Sequence, residues 1–346
     1  MLFKPQFLGV LPDDRTRREK NKDYLFKEIV ASADPVSWQE REPRHFPIRN
    51  QNGSSACVAF SAAKMLGVLQ YANKGGRFVE FSPAFLYQKR ANRNIGDGEG
   101  MASYDTWRLL RERGMTLDPL MPSDNLTEEA INAIEEREVY RDVADLFKVD
   151  NYVTYTAKKD FDAIAGTILK TGKGVMTWFK FDSNEWTTVP RIKTDDPSYH
   201  HSVCAVDAVV YKGEECIVID DSWGTMFGAA GQRYITREFF ENRNTYAAYP
   251  LSFKVVEDSV ERPHYTFKYT MRMGMQNVDV KVMQDILKYE GLFPANVEST
   301  GYYGEITRKA VLAYQTKYQV ASPDEIRQVN GEVCGPKTIA HLNSNQ

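Results

Sequence analysis

The most regular pattern of apolar positions in the first half of the chain begins at Cys57. A polar turn of Asn, Gly and Ser residues precedes it at 52–55. The apolar residues that follow recur at mostly helical spacing: Val58, Phe60, Ala62, Ala63, Met65 and Leu66. Because a polar turn followed by this periodicity is typical of a helix N-terminus, the pattern predicts a buried helix from Cys57 to about Tyr71.

Periodic segments of both kinds continue beyond this helix. Four more segments have helical periodicity or helix-start residues: 83–88, 104–113, 127–139 and 161–170. Four others alternate Val, Ala or Ile with different residues and predict strands: 175–179, 201–210, 215–220 and 232–235. A helical half followed by antiparallel strands of a twisted sheet or barrel indicates an α+β fold.

A separate pattern begins at Tyr269, after a charged linker at 256–268. Three amphipathic helices are predicted there, the first at 278–287. The other two open at the related elements Gly304-Glu-Ile-Thr and Gly335-Pro-Lys-Thr, which lie 31 residues apart. This recurrence indicates a short internal repeat in a small three-helix core, with an insertion at 321–329.

Composition and charge exclude several classes of protein. The 346 residues are enough for two domains, and 42% hydrophobic with 26% charged residues is typical of a globular chain. A net charge of −3 gives no argument for nucleic acid or an anionic membrane as partner. No stretch approaches a membrane span, and the N-terminal segment has no apolar run typical of a signal peptide. We therefore expect synthesis in the cytoplasm without Sec export.

The cysteine residues occur singly, in apolar or turn contexts. They are Cys57, Cys204, Cys216 and Cys334. Neither a disulfide framework nor a zinc site is indicated by this spacing. We therefore expect no metal and no cofactor.

The position of Cys57 at a helix start favours nucleophilic chemistry. A helix N-terminus carries partial positive charge and unpaired N–H groups, which favour the thiolate over the thiol. Gln51 lies six residues earlier, and its amide together with the Cys57 backbone N–H would make an oxyanion hole. The alternative is a small buried residue without chemistry, since free Cys is often buried.

Two later segments supply partners for such a nucleophile. His200 and His201 stand at the start of an apolar strand, and because side chains alternate along a strand only one of them faces the site. Asp220 and Asp221 precede a Ser-Trp-Gly sequence at 222–224. Either carboxylate is able to accept a hydrogen bond from an imidazole.

In this combination the chain resembles the papain-like cysteine proteases. Their pattern is Gln, five residues, Cys at a helix start, His before an apolar strand, and Asn-Ser-Trp-Gly; here Gln51, Cys57, His201 and Asp221 stand in that order. The resemblance implies a two-lobed fold with a helical N-lobe and an antiparallel β-barrel-like C-lobe. It makes Cys57 the nucleophile and His201 the base, since the family register His-Ser-Val-x-Ala-Val selects His201.

The resemblance also implies supporting roles. Asp221 stands where the family has Asn and adds a negative charge that stabilises the imidazolium, so Asp221→Asn is expected to keep substantial activity. Trp223 would cover the His–Asp pair and exclude water. Gly98 and Gly100 lie where papain relatives pair with the substrate backbone, although a simple flexible loop explains them equally well.

Residues 271–343 resemble the peptidoglycan-binding domain type 1, which is found at the ends of many wall hydrolases. This implies bacterial peptidoglycan as a partner, with Tyr302, Tyr303 and Arg308 as candidates to contact the wall. The alternative is a generic three-helix bundle that docks a protein, including a virion protein.

Together these patterns predict an N-terminal arm at 1–33, a papain-like cysteine peptidase domain at 34–255, a linker at 256–268 and a three-helix domain at 269–346. The predicted activity is hydrolysis of a peptide or protein substrate at the bacterial cell wall. Because no signal peptide is evident beside a wall-binding domain, we interpret the chain as phage-encoded, and either virion-associated or released by lysis. The alternatives are an inactive or virion-structural binding protein and a peptidoglycan amidase or endopeptidase.

Overall fold

The computed structural model describes residues 10–11, 24–25, 36–73, 78–155, 160–253, 262–294 and 297–345. Its helices are α1 (Cys57–Asn73), α2 (Pro83–Tyr87), α3 (Ser103–Glu112), α4 (Glu128–Ala133), α5 (Glu138–Ala144), α6 (Phe161–Thr171), α7 (Arg237–Arg243), α8 (Val278–Tyr289), α9 (Glu305–Lys317), α10 (Pro323–Val329) and α11 (Pro336–Ser344). Its strands are β1 (Val10–Leu11), β2 (Tyr24–Leu25), β3 (Met101–Ala102), β4 (Val149–Thr154), β5 (Val175–Phe181), β6 (Tyr199–Tyr211), β7 (Glu214–Asp220), β8 (Gln232–Thr236), β9 (Asn244–Phe253), β10 (Met271–Arg272) and β11 (Val333–Cys334).

These elements fall into two compact units. The first unit comprises Met1–Leu109, Ser123–Glu135 and Asn151–Leu251. The second unit comprises Leu110–Pro122, Glu136–Asp150 and Ser252–Gln346. Among the described helices of both units, none is long and apolar enough to cross a lipid bilayer.

The first unit is built on a seven-stranded sheet in the order β2-β4-β9-β5-β6-β7-β8. The strands from β9 through β5, β6 and β7 to β8 are antiparallel, and β2 is parallel to β4. The predicted α+β class and antiparallel sheet are confirmed. The sheet is open rather than a closed barrel, because β2 and β8 are its two edges.

Helix α1 lies against β6 of this sheet. The helix predicted from Cys57 is confirmed, and it continues to Asn73. Its apolar residues are buried almost completely on every side of the helix: Val58, Ala59, Ala62, Met65, Leu66, Val68 and Leu69. Since a helix that is apolar all round is buried all round, α1 holds its first residue, Cys57, inside the unit.

Two parts of the chain differ from the predicted elements. The acidic segment 127–139 forms α4 and α5 instead of one helix, because Ile134 adopts an extended backbone with ψ of 125° and ends α4. Strand β9 was not predicted at all. It contains Pro250, and a proline within a run argues against a strand.

The N-terminal arm is described only at its two short strands. β1 pairs in parallel with β3, directly after Gly100, and β2 pairs with β4. The rest of 1–33 lies outside the described residues, as do 254–255 at the end of the predicted peptidase domain and 256–261 of the predicted linker. The predicted domain boundaries stay predictions.

The second unit contains the internal repeat as two matching sets of hydrogen bonds. Gln284 of α8 donates its Nε2 to the hydroxyl of Thr307, at 2.8 Å. Gln315 of α9 donates its Nε2 to the hydroxyl of Thr338, at 3.0 Å. Each threonine lies in the first turn of the next helix, so the repeated Gly-x-x-Thr element ties consecutive helices together through a buried amide.

The second unit has one helix more than predicted in its C-terminal segment. The segment predicted as an insertion contains α10, which Ser322 and Glu325 start with a capping box. The unit also includes α5, whose Asp142 pairs with Arg308 of α9. Segments 110–122 and 136–150 therefore pack with the C-terminal helices, although the sequence analysis grouped them with the peptidase.

Candidate active site

The turn before α1 places Cys57 and fixes Gln51 beside it. The Ser54 N–H and hydroxyl both donate to the Gln51 carbonyl oxygen, at 2.9 and 2.7 Å. Asn52 and Gly53 have positive φ angles of 47° and 74°, which the tight turn requires and which Asn and Gly adopt most readily. Cys57 follows as the first residue of α1 and is 1% exposed.

Gln51 is held from both sides. Its backbone N–H donates to the carbonyl oxygen of Ser222 at 2.8 Å, and its Oε1 accepts the Ser222 hydroxyl at 2.6 Å. Its Nε2 donates one hydrogen to the carbonyl oxygen of Ser54. An amide nitrogen carries two hydrogens, so Gln51 keeps a second donor beyond the one given to Ser54. The oxyanion hole that was predicted from Gln51 and the Cys57 N–H stays a prediction.

His201 and Asp221 meet on the sheet next to Cys57. His201 lies near the start of β6, and Asp221 follows the last residue of β7. The His201 Nε2 and Asp221 Oδ1 atoms are 2.8 Å apart, and both residues are buried. Because Nε2 is committed to Asp221, Nδ1 is the nitrogen available for the hydrogen bond between His201 and Cys57.

The electrostatics of this group favour a charged imidazole. Burial alone would lower the pKa of His201, but the charge and hydrogen bond of Asp221, helped by Cys57, outweigh it and raise the pKa from 6.5 to about 9. Burial would likewise raise the pKa of Asp221. Arg233 and His201 reverse this and hold the pKa of that carboxyl well below its usual range. The arrangement can therefore carry an imidazolium at neutral pH.

Two residues that the sequence analysis missed complete the surroundings of Asp221. Its Oδ2 accepts from Trp186 Nε1 at 2.9 Å and from Arg233 Nε at 2.7 Å, while Oδ1 also accepts the Ser222 N–H at 2.8 Å. Trp186 lies in the loop between β5 and β6, and Arg233 lies on β8. No sequence pattern marks either residue, because each contacts Asp221 only through the fold.

Trp223 lies beside the imidazole, as the resemblance implied for it. Its ring centroid is 4.8 Å from that of His201, with the planes tilted by 30°. Trp186 lies on the same histidine at 5.9 Å, edge to face. Two indole rings therefore reduce the access of water to the hydrogen bond between His201 and Asp221.

The rival residues lie elsewhere. His200 stands opposite Lys180 in the pairing of β5 with β6, and burial together with Lys180 lowers its pKa. Asp220 is buried against Lys64, whose Nζ lies 2.9 Å from its Oδ2. Neither rival contacts Cys57 or His201 in any described hydrogen bond.

The glycine-rich loop uses most of its backbone groups internally. The Gly98 N–H donates to the carbonyl oxygen of Ile95, and the Gly98 carbonyl oxygen accepts from Arg90 Nε at 2.6 Å. The Gly100 N–H donates to the hydroxyl of Tyr87 at 3.0 Å. Both glycines have positive φ angles, of 70° and 74°. Their conformation therefore shapes the loop, and their role in substrate binding stays a prediction.

The three candidates for wall contact differ in exposure. Tyr302 is 49% exposed. Tyr303 is completely buried and donates its hydroxyl to the Gly331 carbonyl oxygen at 2.6 Å. Arg308 is 5% exposed and pairs with Asp142. The burial of Tyr303 and Arg308 gives them roles in packing and pairing, and leaves Tyr302 as the exposed candidate.

Comparison with known proteins assigns a family to this geometry. Residues 33–250 match the family model of papain family cysteine protease, and residues 276–324 match that of a peptidoglycan binding domain. Since the first match covers more than half of the chain, the protein belongs to the papain family of cysteine proteases. The sequence resemblance to both families is thereby confirmed.

Individual relatives agree with this assignment. Cysteine proteinase 1 and Cysteine proteinase 2 of Entamoeba histolytica are 24% and 23% identical over 57% and 65% of the chain, and the matches span 61% and 70% of those relatives. Among solved structures, xylellain, a cysteine protease from Xylella fastidiosa, has a TM-score of 0.57 at 18% identity, covering 72% of this chain and 98% of xylellain. Procathepsin L2 from the larval midgut of Tenebrio molitor has a TM-score of 0.53 at 16% identity, covering 71% and 78%. At such identities the solved structures show the shared fold.

Proposed function

We propose that the chain hydrolyses peptide bonds with Cys57 as nucleophile, His201 as base and acid, and Asp221 as the partner of the imidazole. The observation that carries the proposal is the buried hydrogen bond between His201 and Asp221, with Cys57 close enough to help raise the pKa of His201. Such a nucleophile, base and orienting group are the parts that covalent acyl transfer requires.

The first half of the reaction makes an acyl-enzyme. The Cys57 proton passes to His201, and the sulfur attacks the carbonyl carbon of the scissile bond. The carbonyl oxygen becomes an oxyanion that accepts hydrogen bonds from the Cys57 N–H and the Gln51 amide. The carbon–nitrogen bond then breaks, and the imidazolium gives its proton to the leaving amine.

The second half releases the acid product. His201, now neutral, takes a proton from a water molecule that attacks the thioester carbon. The oxyanion forms again at the same two donors. Collapse breaks the carbon–sulfur bond, and the proton on His201 returns to the sulfur of Cys57.

We further propose that the C-terminal helices hold the enzyme at bacterial peptidoglycan. The match of residues 276–324 and the exposure of Tyr302 support this. Such binding would raise the local concentration of wall-bound substrate without changing the chemistry. A phage source, virion partners and release by lysis stay predictions of the sequence analysis.

The test uses the purified full-length chain on denatured casein and on purified peptidoglycan, with products identified by mass spectrometry. The wild type is expected to release peptides, and Cys57→Ala and His201→Ala are expected to release none. Cys204→Ala is the matched control, since Cys204 is also a buried thiol but lies further along β6. Full hydrolysis by Cys57→Ala would refute the proposal, and products cut only between sugar and peptide would identify a peptidoglycan amidase.

A further inference from the structure

Asp221 and Arg233 form a buried pair whose charges cancel. Their side chains are 1% and 2% exposed, and Arg233 Nε lies 2.7 Å from Asp221 Oδ2. The family pattern has a neutral Asn at position 221. An Asp alone would place a full negative charge in the core, which costs several kcal/mol unless it is paired. Arg233 supplies the opposite charge from the neighbouring strand β8.

Other contacts hold the guanidinium of Arg233 in place. Its Nη1 donates to the carbonyl oxygen of Trp186 at 2.8 Å. Its central carbon lies 5.2 Å from the ring centroid of Trp186 and 5.4 Å from that of Trp223. Arg233 therefore contacts both indoles that flank His201, and its planar group has a fixed orientation.

We propose that Arg233 is a positioning residue for the reaction. It balances the charge of Asp221 and holds the carboxylate in the orientation from which Oδ1 accepts His201 Nε2. This inference rests on the proposed function of Cys57 and His201. An unbalanced Asp221 would retain the imidazolium proton too strongly, and an unbalanced Arg233 would repel the imidazolium. The Asp221–Arg233 pair therefore keeps the proton affinity of His201 between these two extremes.

The charged groups around His201 come from several elements. Cys57 faces it from α1, Asp221 from the end of β7, and Arg233 acts through Asp221 from β8. Phe179 is its partner on β5, and Trp186 is its neighbour from the loop before β6. Other nearby charges have their own partners: Glu185 pairs with Arg243, and Asp220 pairs with Lys64.

The test measures kcat/KM of the full-length enzyme against pH, on a fluorogenic peptide, for the wild type and three variants. The alkaline limb, or upper limb, of each profile is described by the pH at which kcat/KM is half lost. This pH should be highest in Arg233→Gln, next in the wild type, then in Asp221→Asn/Arg233→Gln, and lowest in Asp221→Asn. Neighbours in this order should differ by about half a pH unit or more, because each change removes or exposes one charge near His201. A residue that only stabilises the fold would lower activity without producing this order.

The double variant also tests rescue. Asp221→Asn alone leaves the buried guanidinium unpaired, so kcat at neutral pH should fall about a hundredfold. The added Arg233→Gln removes the unpaired charge, so kcat of the double variant should be about tenfold higher than that of Asp221→Asn. The substitution that the sequence suggests to be mild is therefore damaging in this chain, because of Arg233.

Two further variants separate charge from general stability. Arg233→Lys keeps the charge but loses the Nε donor, so its upper limb should stay near the wild-type pH while kcat falls. Arg41→Gln breaks an ion pair away from His201, Arg41 Nη2 to Asp207 Oδ1 at 2.7 Å, in which Arg41 is partly exposed. It should lower the melting temperature without changing the pH of the alkaline limb. If Arg233→Gln does not fold, the pH of the alkaline limb is compared between Arg233→Lys, the double variant and the wild type instead.

The outcomes are distinct. An unmoved upper limb in folded Arg233→Gln, or a double variant no more active than Asp221→Asn, overturns the inference while the wild-type activity upholds the proposed function. A wild-type chain that hydrolyses no peptide overturns both. The predicted order of the limbs, together with rescue, supports the inference.

Discussion

Two clusters around consecutive carboxylates, in the same part of the sheet, shift the pKa of their carboxyl groups in opposite directions. We call Asp220 with Lys64 and Gln232 the Asp220 cluster. We call Asp221 with His201, Trp186 and Arg233 the Asp221 cluster. Both carboxylates are buried, yet the pKa of Asp220 is raised, chiefly by burial, whereas the pKa of Asp221 is held well below its usual range by Arg233 and His201.

The difference lies in the partners of the two carboxylates. Asp220 accepts from Lys64 and Gln232, each at 2.9 Å. Asp221 accepts four hydrogen bonds, from His201, the Ser222 N–H, Trp186 and Arg233. Burial raises the pKa of both carboxyls. At Asp220 the charge of Lys64 and the hydrogen bonds do not outweigh burial, whereas at Asp221 the charges and hydrogen bonds of Arg233 and His201 do. The charged partners Arg233 and His201, rather than burial, therefore distinguish the carboxylate that can serve an imidazolium.

The largest expected effect is the loss of activity in Asp221→Ala. This substitution removes the acceptor that orients His201 and leaves Arg233 unpaired. We expect kcat/KM on a soluble peptide to fall about a thousandfold, by analogy with other groups that orient a catalytic imidazole. Steady-state kinetics of the folded variant measure it.

Asp220→Ala is the matched control for this substitution. It leaves the Lys64 ammonium without its carboxylate, so the free energy of unfolding should fall by about 3 kcal/mol. The folded fraction should keep kcat/KM within about threefold of the wild type, since Asp220 does not touch His201. Equal losses of activity in both variants would break the distinction between the two clusters.

The second expected effect is the pH at which activity ends. His201 has its pKa raised from 6.5 to about 9, so the imidazolium persists above neutral pH and is lost as the pH rises through about 9. Activity that needs the imidazolium should therefore be retained at pH 8 and half lost near pH 9. A profile of kcat/KM that already falls at pH 6.5 would show that Asp221 does not act on His201.

The smallest expected effect concerns Trp186. Trp186→Phe removes one of the four donors to Asp221 and keeps an aromatic ring beside His201. We expect kcat to fall about threefold with KM unchanged, because the three remaining donors still fix the carboxylate. A loss as large as that of Asp221→Ala would mean that the loop itself, and not the number of donors, sets the geometry.

Motifs with fixed geometry could be predicted from the sequence. Cys57 follows a turn and opens an apolar helix, and both features are local. The strand start and the Ser-Trp-Gly sequence left His200 or His201 and Asp220 or Asp221 as candidates, and the register of the papain-like pattern selected His201 and Asp221. The doubled Gly-x-x-Thr element likewise marks helix starts, since its threonines bind the preceding helices.

Features that depend on distant contacts could not be predicted. Arg233 stands in a strand, where a charged residue normally faces water, and only the fold brings it to Asp221. Tyr303 and Arg308 were selected as polar or aromatic residues near loops, but their exposure depends on Gly331 and Asp142. The closure of the sheet into a barrel also depends on pairing between distant edges.

The proposed mechanism requires that Cys57 is the nucleophile and that His201 and Asp221 activate it. The most direct measurement is labelling of the full-length protein with an epoxide that traps papain-like cysteines, followed by peptide mapping. The account predicts one label per chain at Cys57, loss of hydrolysis in proportion to labelling, and strongly reduced labelling in His201→Ala. Equal labelling of Cys57 in the wild type and in His201→Ala, or full hydrolysis by the labelled protein, would contradict it.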